Sequence, residues 1–347
     1  MARDSLNTLR EARIWTPHLE VNLSSFTFSG DNRSAMSQRE RHPCSLHTLL
    51  PLSFVMAAAG CAATAPASPV LFVKQVNHWA MPAAGAKIPA PRGLAFDTNG
   101  ELFVLDDAGR ILVFSIDGKL NRHWFMPEYE AGKPEGICLF HDGRIAVADT
   151  HYHRVVFFNR EGKFLSMHGE HGSESGQFIY LSSLTQDAVG NYYVCEYGGN
   201  DRVQKFDVNG NSLAVFGGLG TGDGLFQRPM GIVWKDGSIY VADAINNRIQ
   251  VFRDDGHFVS ILGEEAGISQ LHYPYDLVGG PKEDLFAIEY GGNRVTRLNL
   301  QGRTLGTYGT SGHNIGQFST PWGLAVDQSG RIVVADTGNR RLVELQR

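Results

Sequence analysis

One pattern constrains the fold of this chain more than any other: an acidic residue that ends an apolar, β-branched run recurs six times. Neighbouring copies are 43 to 47 residues apart, and an arginine follows each acid within a few residues. A repeat of about 40–50 residues with several short strands per unit predicts the blades of a β-propeller. The acid–arginine pairs are Asp106 and Arg110, Asp149 and Arg154, Glu196 and Arg202, Asp243 and Arg248, Glu289 and Arg294, and Asp336 and Arg341.

Each repeat reads as a four-stranded antiparallel meander. In residues 330–343 a β-branched run predicts one strand, Asp-Thr-Gly-Asn predicts a turn, and the apolar pattern then restarts. Glycine-rich connectors follow four of the repeats, and each carries an apolar residue that we expect to pack between blades. The predicted blades begin at Pro91, Pro134, Leu181, Pro229, Pro274 and Pro321, and the apolar connector residues are Phe178, Phe226, Leu271 and Phe318.

The sixth repeat is short by one strand, because the sequence stops soon after its third. Residues 76–82 match residues 121–127, the predicted outer strand of blade 1, at one repeat period. We therefore expect residues near 70–82 to complete blade 6 and remove the open sheet edge. The predicted fold is all-β: a six-bladed β-propeller of four-stranded blades, occupying residues 70–347, with the last blade closed by an N-terminal strand.

The segment before the propeller has the features of an export signal. A basic flank precedes the apolar stretch 49–60, which is too short to span a bilayer but suits a signal-peptide core. Small residues before Cys61 and the tether at 62–69 resemble a bacterial lipoprotein signal over 36–61. This resemblance implies lipid on Cys61 and a location on the periplasmic side of the outer membrane or the cell surface. A plain cleaved signal or a short buried segment are the alternatives.

Residues 1–35 show no periodic pattern and receive no fold. They look surplus to an export signal, so we expect translation to start at Met36.

Cys138 and Cys195 lie in strand patterns of neighbouring blades and are expected to be free thiols rather than a disulfide. The formal net charge of −5 argues against a nucleic-acid partner, which requires a concentrated basic face.

The repeat phrases resemble NHL repeats. They include Pro-Trp-Gly-Leu-Ala-Val-Asp at 321–327, Ala-Asp-Thr-Gly-Asn-Arg-Arg at 335–341 and Gly-Gln-Phe-Ser-Thr-Pro at 316–321. The resemblance covers residues 70–347 and implies a six-bladed NHL propeller. It says little about chemistry, since one fold hosts many functions.

Propellers of this kind place one residue per blade at the channel mouth, where the innermost strand begins. These six positions are the predicted ligand-binding residues: Arg92, Glu135, Ser182, Met230, Tyr275 and Trp322. They differ between blades, unlike the repeated acids and arginines, which are better explained as framework. Aromatic rings with an arginine and a carboxylate suit a small polar ligand or a peptide. The structural alternative is a plugged channel with an Arg92–Glu135 ion pair.

Blades 3 and 5 share Glu-Tyr-Gly-Gly-Asn after their second strands. Tyr197 and Tyr290 are therefore predicted as contacts on the mouth face, although the shared phrase also fits a simple loop variant. His151, His153, His168 and His171 cluster in blade 2, but we predict no metal site there, because His153 occupies a position that NHL repeats commonly fill with His or Asn.

Two related propeller groups bind metals. Amidating lyases hold zinc through histidines at the channel mouth, where this chain has none, and lactonase-type propellers hold calcium, for which Glu135 supplies one ligand only. We predict no catalytic residue, metal or cofactor. The expected function is an envelope-anchored, non-catalytic scaffold that binds a protein, peptide or glycan. The alternative is a zinc- or calcium-dependent lyase or lactonase-like hydrolase at the channel mouth.

Overall fold

The computed structural model describes residues 69–263 and 271–347 of the chain. The predicted extension 1–35, the signal peptide 36–61 with Cys61, and the tether apart from residue 69 lie outside the described residues. The described residues contain no helix that is long and apolar enough to cross a membrane.

Strands account for nearly all of the regular structure, as the repeat pattern predicts. The first strand is β1 (Gln75–Ala80). Blade 1 comprises β2 (Pro91–Phe96), β3 (Leu102–Asp106), β4 (Arg110–Phe114) and β5 (Leu120–Phe125). Blade 2 comprises β6 (Gly136–Leu139), β7 (Ile145–Asp149), β8 (Arg154–Phe158) and β9 (Phe164–His168). Blade 3 comprises β10 (Tyr180–Gln186), β11 (Tyr192–Tyr197), β12 (Arg202–Phe206) and β13 (Ser212–Gly217).

The second half continues in the same way. Blade 4 comprises β14 (Pro229–Lys235), β15 (Ser238–Asp243), β16 (Arg248–Arg253) and β17 (Phe258–Ile261). Blade 5 comprises β18 (Pro274–Gly279), β19 (Asp284–Glu289), β20 (Arg294–Asn299) and β21 (Thr304–Tyr308). The short strands β22 (Thr310–Ser311) and β23 (Gln317–Phe318) pair in the next connector. Blade 6 contains β24 (Gly323–Val326), β25 (Ile332–Asp336) and β26 (Arg341–Gln346). Two 3₁₀ turns, Thr150–Tyr152 and Thr337–Asn339, follow Asp149 and Asp336.

Blade 6 is completed by the N-terminal strand, as predicted. Strand β1 pairs antiparallel with β26, with Val76 opposite Leu345 and Trp79 opposite Leu342, and the sheet order is β1-β26-β25-β24. The Asn77 side chain also donates to Oε2 of Glu344 at 2.8 Å. The first and last parts of the propeller are therefore joined in one sheet, which confirms the predicted fold.

In the part of the chain that the structure describes, the hydrophobic core forms six clusters, one between each pair of neighbouring blades. Phe103 and Val113 of blade 1 pack with Val147 of blade 2, for example, and Phe286 of blade 5 packs with Val334 of blade 6. Both faces of each sheet are thus buried, which explains why the strands read as nearly continuous apolar runs. The connector residues Phe178, Phe226 and Phe318 are fully buried and Leu271 almost so, as predicted. Cys138 and Cys195 are free thiols.

The repeated acids hold the loops between the second and third strands. All six are completely buried. Each forms an ion pair with its arginine at 2.6 to 2.9 Å. Asp336, for instance, accepts hydrogen bonds from Arg341, Asn339 and the Ser319 backbone. This arrangement fits the framework role expected from their occurrence in every blade.

Candidate functional site at the channel mouth

The innermost strands converge on the propeller axis and bring the six predicted mouth residues together. Arg92, Glu135, Ser182, Met230, Tyr275 and Trp322 all line one cavity of about 70 Å³. Glycines directly after several of these residues allow the strands to approach each other closely. A Cβ on Gly323 would lie 2.2 Å from the carbonyl oxygen of Arg92, and one on Gly93 would lie 2.4 Å from that of Glu135. The cavity has room for a few water molecules or for the end of a ligand.

Arg92 contacts residues of two neighbouring blades at the channel mouth. Its guanidinium lies over the Trp322 ring, 4.3 Å from the centroid, across the junction of blades 1 and 6. Its Nη1 is 3.6 Å from Oε1 of Glu135 in blade 2, which is an ion pair but longer than a hydrogen bond. The Arg92–Glu135 ion pair expected for a plugged channel is therefore present, but it leaves hydrogen-bonding atoms of both residues without a partner.

A group of aromatic rings surrounds this ion pair. Tyr275 stacks on Trp322 with the centroids 5.1 Å apart, and Tyr290 lies 5.7 Å from Tyr275. Tyr273 contacts both Tyr275 and Tyr290. Tyr290, predicted as a separate face contact, is therefore part of the mouth. Tyr197, the other predicted face contact, packs on Tyr180, 5.5 Å between centroids.

Arg228 is a second cation at the mouth that the sequence prediction missed. Its guanidinium lies over the Tyr197 ring, 4.7 Å from the centroid. Arg228 directly precedes Pro229, as Tyr273 precedes Pro274, so both residues stand two positions before a predicted mouth residue. A comparison of the residues before the six predicted blade starts would have found them. Both have left-handed φ angles, +60° and +52°, which is unusual for such residues and common near functional sites.

We call Arg92, Glu135, Tyr197, Arg228, Tyr273, Tyr275, Tyr290 and Trp322 the mouth cluster. Several of its polar atoms are buried without a hydrogen-bond partner among the described residues. They are Nε and Nη1 of Arg92, Nε of Arg228, Oε2 of Glu135 and Oη of Tyr275. Native structures rarely leave such atoms unsatisfied, and exceptions point to a ligand or solvent. Burial raises the pKa of Glu135 to about 7, although Arg92 and Arg228 act in the opposite direction. Burial also raises the pKa of Tyr275 well above its usual value.

Asp276, directly after Tyr275, is a further acid that lines the cavity, and the sequence prediction missed it. Its carboxylate accepts hydrogen bonds from the backbone N–H groups of Leu277 at 2.8 Å and of Leu324 in blade 6 at 3.1 Å. Burial raises the pKa of Asp276 to about 6. It stands where blades 1, 2, 4 and 6 have glycine, so it bridges two blades at a position where the others rely on close backbone approach.

The histidines of blade 2 do not form one group. His153 and His171 are in ring contact at 4.6 Å between centroids. His168 lies on the outer strand β9 and is hydrogen-bonded to the Tyr192 hydroxyl at 2.8 Å. Within residues 69–263 and 271–347, no group of three or more His, Cys, Asp or Glu side chains is arranged to hold a metal ion.

The fold defines the class of the protein: it is a six-bladed β-propeller, and two of its segments match the NHL repeat. The NHL repeat family matches residues 132–158 and 318–345. Human NHL repeat-containing protein 3 is 28% identical over 190 residues, which is 49% of this chain and 54% of that protein. Protein brain tumor of Drosophila melanogaster is 27% identical over 133 residues, covering 38% of this chain and 12% of that protein. The chain thus spans about half or less of these relatives.

Solved structures show the same fold at low sequence identity. Virginiamycin B lyase from Staphylococcus aureus superimposes with a TM-score of 0.57 at 15% identity, over 79% of this chain and 99% of that one. A chain of a nidogen/laminin complex gives a TM-score of 0.55 at 17% identity, over 69% and 85%. One is named as a lyase and the other as part of a protein complex, so the shared fold does not select a function.

Proposed function

We propose that the chain is a non-catalytic binding propeller that presents its channel-mouth face to a protein or peptide, with a glycan as the less favoured partner. The observation that carries this proposal is the mouth cluster itself: buried polar atoms of Arg92, Arg228 and Tyr275 without partners, set among aromatic rings. Tyrosine, tryptophan and arginine are the residues most enriched at energetically dominant positions of protein interfaces. The match of two segments of the propeller to NHL repeats supports a role in protein interaction.

A peptide-display selection against the immobilised full chain tests this proposal. We expect selected peptides to lose at least tenfold in affinity when Trp322→Ala removes the ring that Arg92 and Tyr275 contact. The control is Arg144→Ala, which removes an arginine that also lies over a ring, that of Phe157 at 5.1 Å, but at the opposite end of the strands. Equal affinity for wild type and Trp322→Ala, with thermal melting confirming the fold, would place binding elsewhere.

The rival function is a metal-dependent lyase or lactonase-like hydrolase. The observation that favours it is Glu135, because a carboxyl with a pKa of about 7 suits proton transfer at neutral pH. The likeness of fold to virginiamycin B lyase is compatible with it. Metal analysis of the purified chain separates the two functions. Stoichiometric zinc or calcium that is lost in Glu135→Ala would favour the enzyme over the binding propeller.

Envelope attachment is a separate proposal that rests on the sequence at 36–61. We infer that Cys61 is lipidated after export and anchors the propeller to the cell envelope. Metabolic labelling with a fatty-acid probe tests this. We expect labelling of the wild-type chain and none of Cys61→Ser, with Cys195→Ser as the thiol control. Label on the Cys61→Ser variant would contradict the proposal.

A further inference from the structure

The hydrogen-bonding character of the mouth cluster indicates the chemistry of its ligand. Its unpartnered buried atoms include three N–H donors, two from Arg92 and one from Arg228, and the Tyr275 hydroxyl, which can donate as well. Glu135 supplies the single unpartnered acceptor that an ionised carboxylate would offer. Donors therefore outnumber acceptors, so the ligand group that satisfies this site must mainly accept hydrogen bonds.

The charges of the cluster point the same way. Two guanidinium groups, those of Arg92 and Arg228, interact electrostatically with Glu135. Asp276 also lines the cavity and is the second carboxyl group of the site. The tyrosines around them remain neutral near pH 7, since burial raises the pKa of Tyr197, Tyr273 and Tyr275. Burial lowers the pKa of His151, which is the histidine that interacts with Arg92, so it is neutral as well. With Asp276 ionised, the site carries one positive charge in excess when Glu135 is protonated and none when Glu135 is ionised.

The two arginines are held in place from opposite sides of the ring. Arg92 belongs to blade 1 and stacks on Trp322 of blade 6, whereas Arg228 leads into blade 4 and stacks on Tyr197 of blade 3. A stacked guanidinium keeps its N–H edge available for an oxyanion, and it loses little further freedom when the ion binds. Arg228 is also fixed through its backbone, because its N–H donates to Oδ1 of Asp201 at 2.6 Å.

We propose that the mouth cluster binds a carboxylate group of a peptide ligand through the guanidinium group of Arg92, with Arg228 as the second cation of the site. This inference rests on the proposed binding function and names the chemical group that the site recognises. A carboxylate matches the single excess charge that is present when Glu135 is protonated, whereas the two charges of a phosphate dianion exceed it. The cavity of about 70 Å³ is lined by Arg92 and Glu135 but not by Arg228, and it admits only the end of a ligand. The rest of the peptide would lie outside it, over the tyrosine rings.

The carboxylate has two sources in a peptide, the chain terminus and an acidic side chain, and matched probes distinguish them. N-benzoylglycine and its neutral amide differ only at a terminal carboxylate. N-acetylaspartic acid α-methylamide and the asparagine analogue differ only at a side chain. Titration calorimetry or NMR with the full chain at pH 6.5 measures all four. We expect at least one acid to bind tenfold or more tightly than its amide, and the pair that shows the difference identifies the source.

Variants of the two arginines complete the test. We expect Arg92→Gln and Arg228→Gln each to weaken the acid at least tenfold and to leave the amide nearly unchanged. Arg228→Lys retains the charge without the planar fork, so it should recover only part of the loss. Arg144→Gln, at the opposite end of blade 2, should have no effect. Melting temperatures within a few degrees of wild type establish that the variants fold.

Two results would overturn the carboxylate assignment: equal binding of acids and amides, including no binding of either, or full acid binding by Arg228→Gln. These results are distinct from failure of the binding function. Display-selected peptides that depend on Trp322 but tolerate amidation and replacement of every Asp and Glu would retain the proposed function and contradict the carboxylate. Peptides that ignore Trp322→Ala would contradict both.

Discussion

The backbone N–H of Tyr273 donates a hydrogen bond to Oδ1 of Asn247, 2.7 Å away, and so ties the start of blade 5 to a loop of blade 4. Equivalent hydrogen bonds run from the backbone N–H of Arg228 to Oδ1 of Asp201, at 2.6 Å, and from that of Thr320 to Oδ1 of Asn293, at 2.9 Å. Asp201, Asn247 and Asn293 all have left-handed φ angles between +44° and +56°. We call these three bonds the inter-blade latches. They position Arg228 and Tyr273 at the mouth through their backbones.

Asn247 tests the backbone conformation of the latch, because two substitutions both remove its hydrogen bond and differ only in how well they accept a left-handed φ. Asn247→Ala loses the hydrogen bond and keeps a Cβ in the left-handed region without the polar side chain that lets Asn adopt it, which costs roughly 1–2 kcal/mol. Asn247→Gly loses the same bond but accepts a φ of +56° without strain. We expect the Ala variant to be less stable than the Gly variant by about 1 kcal/mol. Denaturant unfolding measures this difference, and a Gly variant that is the less stable of the two would contradict it.

Arg341→Ala tests the framework role of the repeated acid–arginine pairs. Asp336 is fully buried, and Nε of Arg341 donates to its Oδ2 at 2.7 Å. Removing the arginine leaves a buried carboxylate without its countercharge, so we expect a loss of about 3–5 kcal/mol in the free energy of unfolding. Adding Asp336→Asn should recover part of it. The exposed Arg303→Ala should change stability by less than about 0.5 kcal/mol, and a similar small effect of Arg341→Ala would argue against the framework role.

Glu135 makes carboxylate binding depend on pH. Its pKa is about 7, so it is mostly neutral at pH 6 and mostly ionised at pH 8. An ionised Glu135 repels a bound carboxylate and competes for Arg92 and Arg228, whereas the protonated group adds a donor. We therefore expect affinity for the acid probe to fall about tenfold from pH 6 to pH 8, as expected for one linked proton. Glu135→Gln should remove most of this dependence and leave only the smaller part due to Asp276, whose pKa is about 6. An unchanged slope in that variant would assign the pH effect to another group.

His168 makes stability depend on pH in the acid range. Burial lowers its pKa to about 4, and its Nε2 is bonded to the Tyr192 hydroxyl. In the unfolded chain the pKa is about 6.5. The folded value is the lower one, so this stabilisation is complete above pH 6.5 and is lost as the pH falls towards 4. The loss is about 3 kcal/mol.

His168→Gln provides the measurement, since its amide stays neutral and can still bond to Tyr192. The free energy of unfolding of this variant should fall less than that of wild type between pH 6.5 and pH 4. His257→Gln, which replaces a largely exposed histidine, is the matched control and should follow the wild type. Parallel pH profiles for wild type and His168→Gln would show that the buried histidine does not govern acid stability.

The repeats carried most of the information about the fold. The period located the blades, and the match between residues 76–82 and 121–127 located the closing strand, because every blade solves the same packing problem with the same residue types. The six mouth positions were found for the same reason, since the topology places the start of each innermost strand at the axis. Whether they bind a ligand remains a prediction.

The rest of the mouth depends on features that the repeat pattern does not contain. Arg228 and Tyr273 reach the cluster through left-handed backbone conformations, set by a side chain about 26 residues earlier in the neighbouring blade. Asp276 is recognisable only as a departure from glycine, and its burial follows from contact with blade 6. Such contacts between blades determine the charge of the mouth and the pKa values of its acids, and they cannot be predicted from a short segment of the sequence.

Closure of the ring also imposes an order in time. Asn77 and Glu344, which bond in the closing sheet, are separated by 267 positions. At roughly 5–20 residues per second of synthesis, strand β1 waits on the order of 10–50 s before its partner β26 leaves the ribosome. During that interval its edge and the apolar face of blade 1 have no final neighbour. Contacts this distant in sequence form late. We therefore expect that chaperones, or slow folding of the emerging chain itself, keep the exposed strand edge and apolar face from forming wrong contacts.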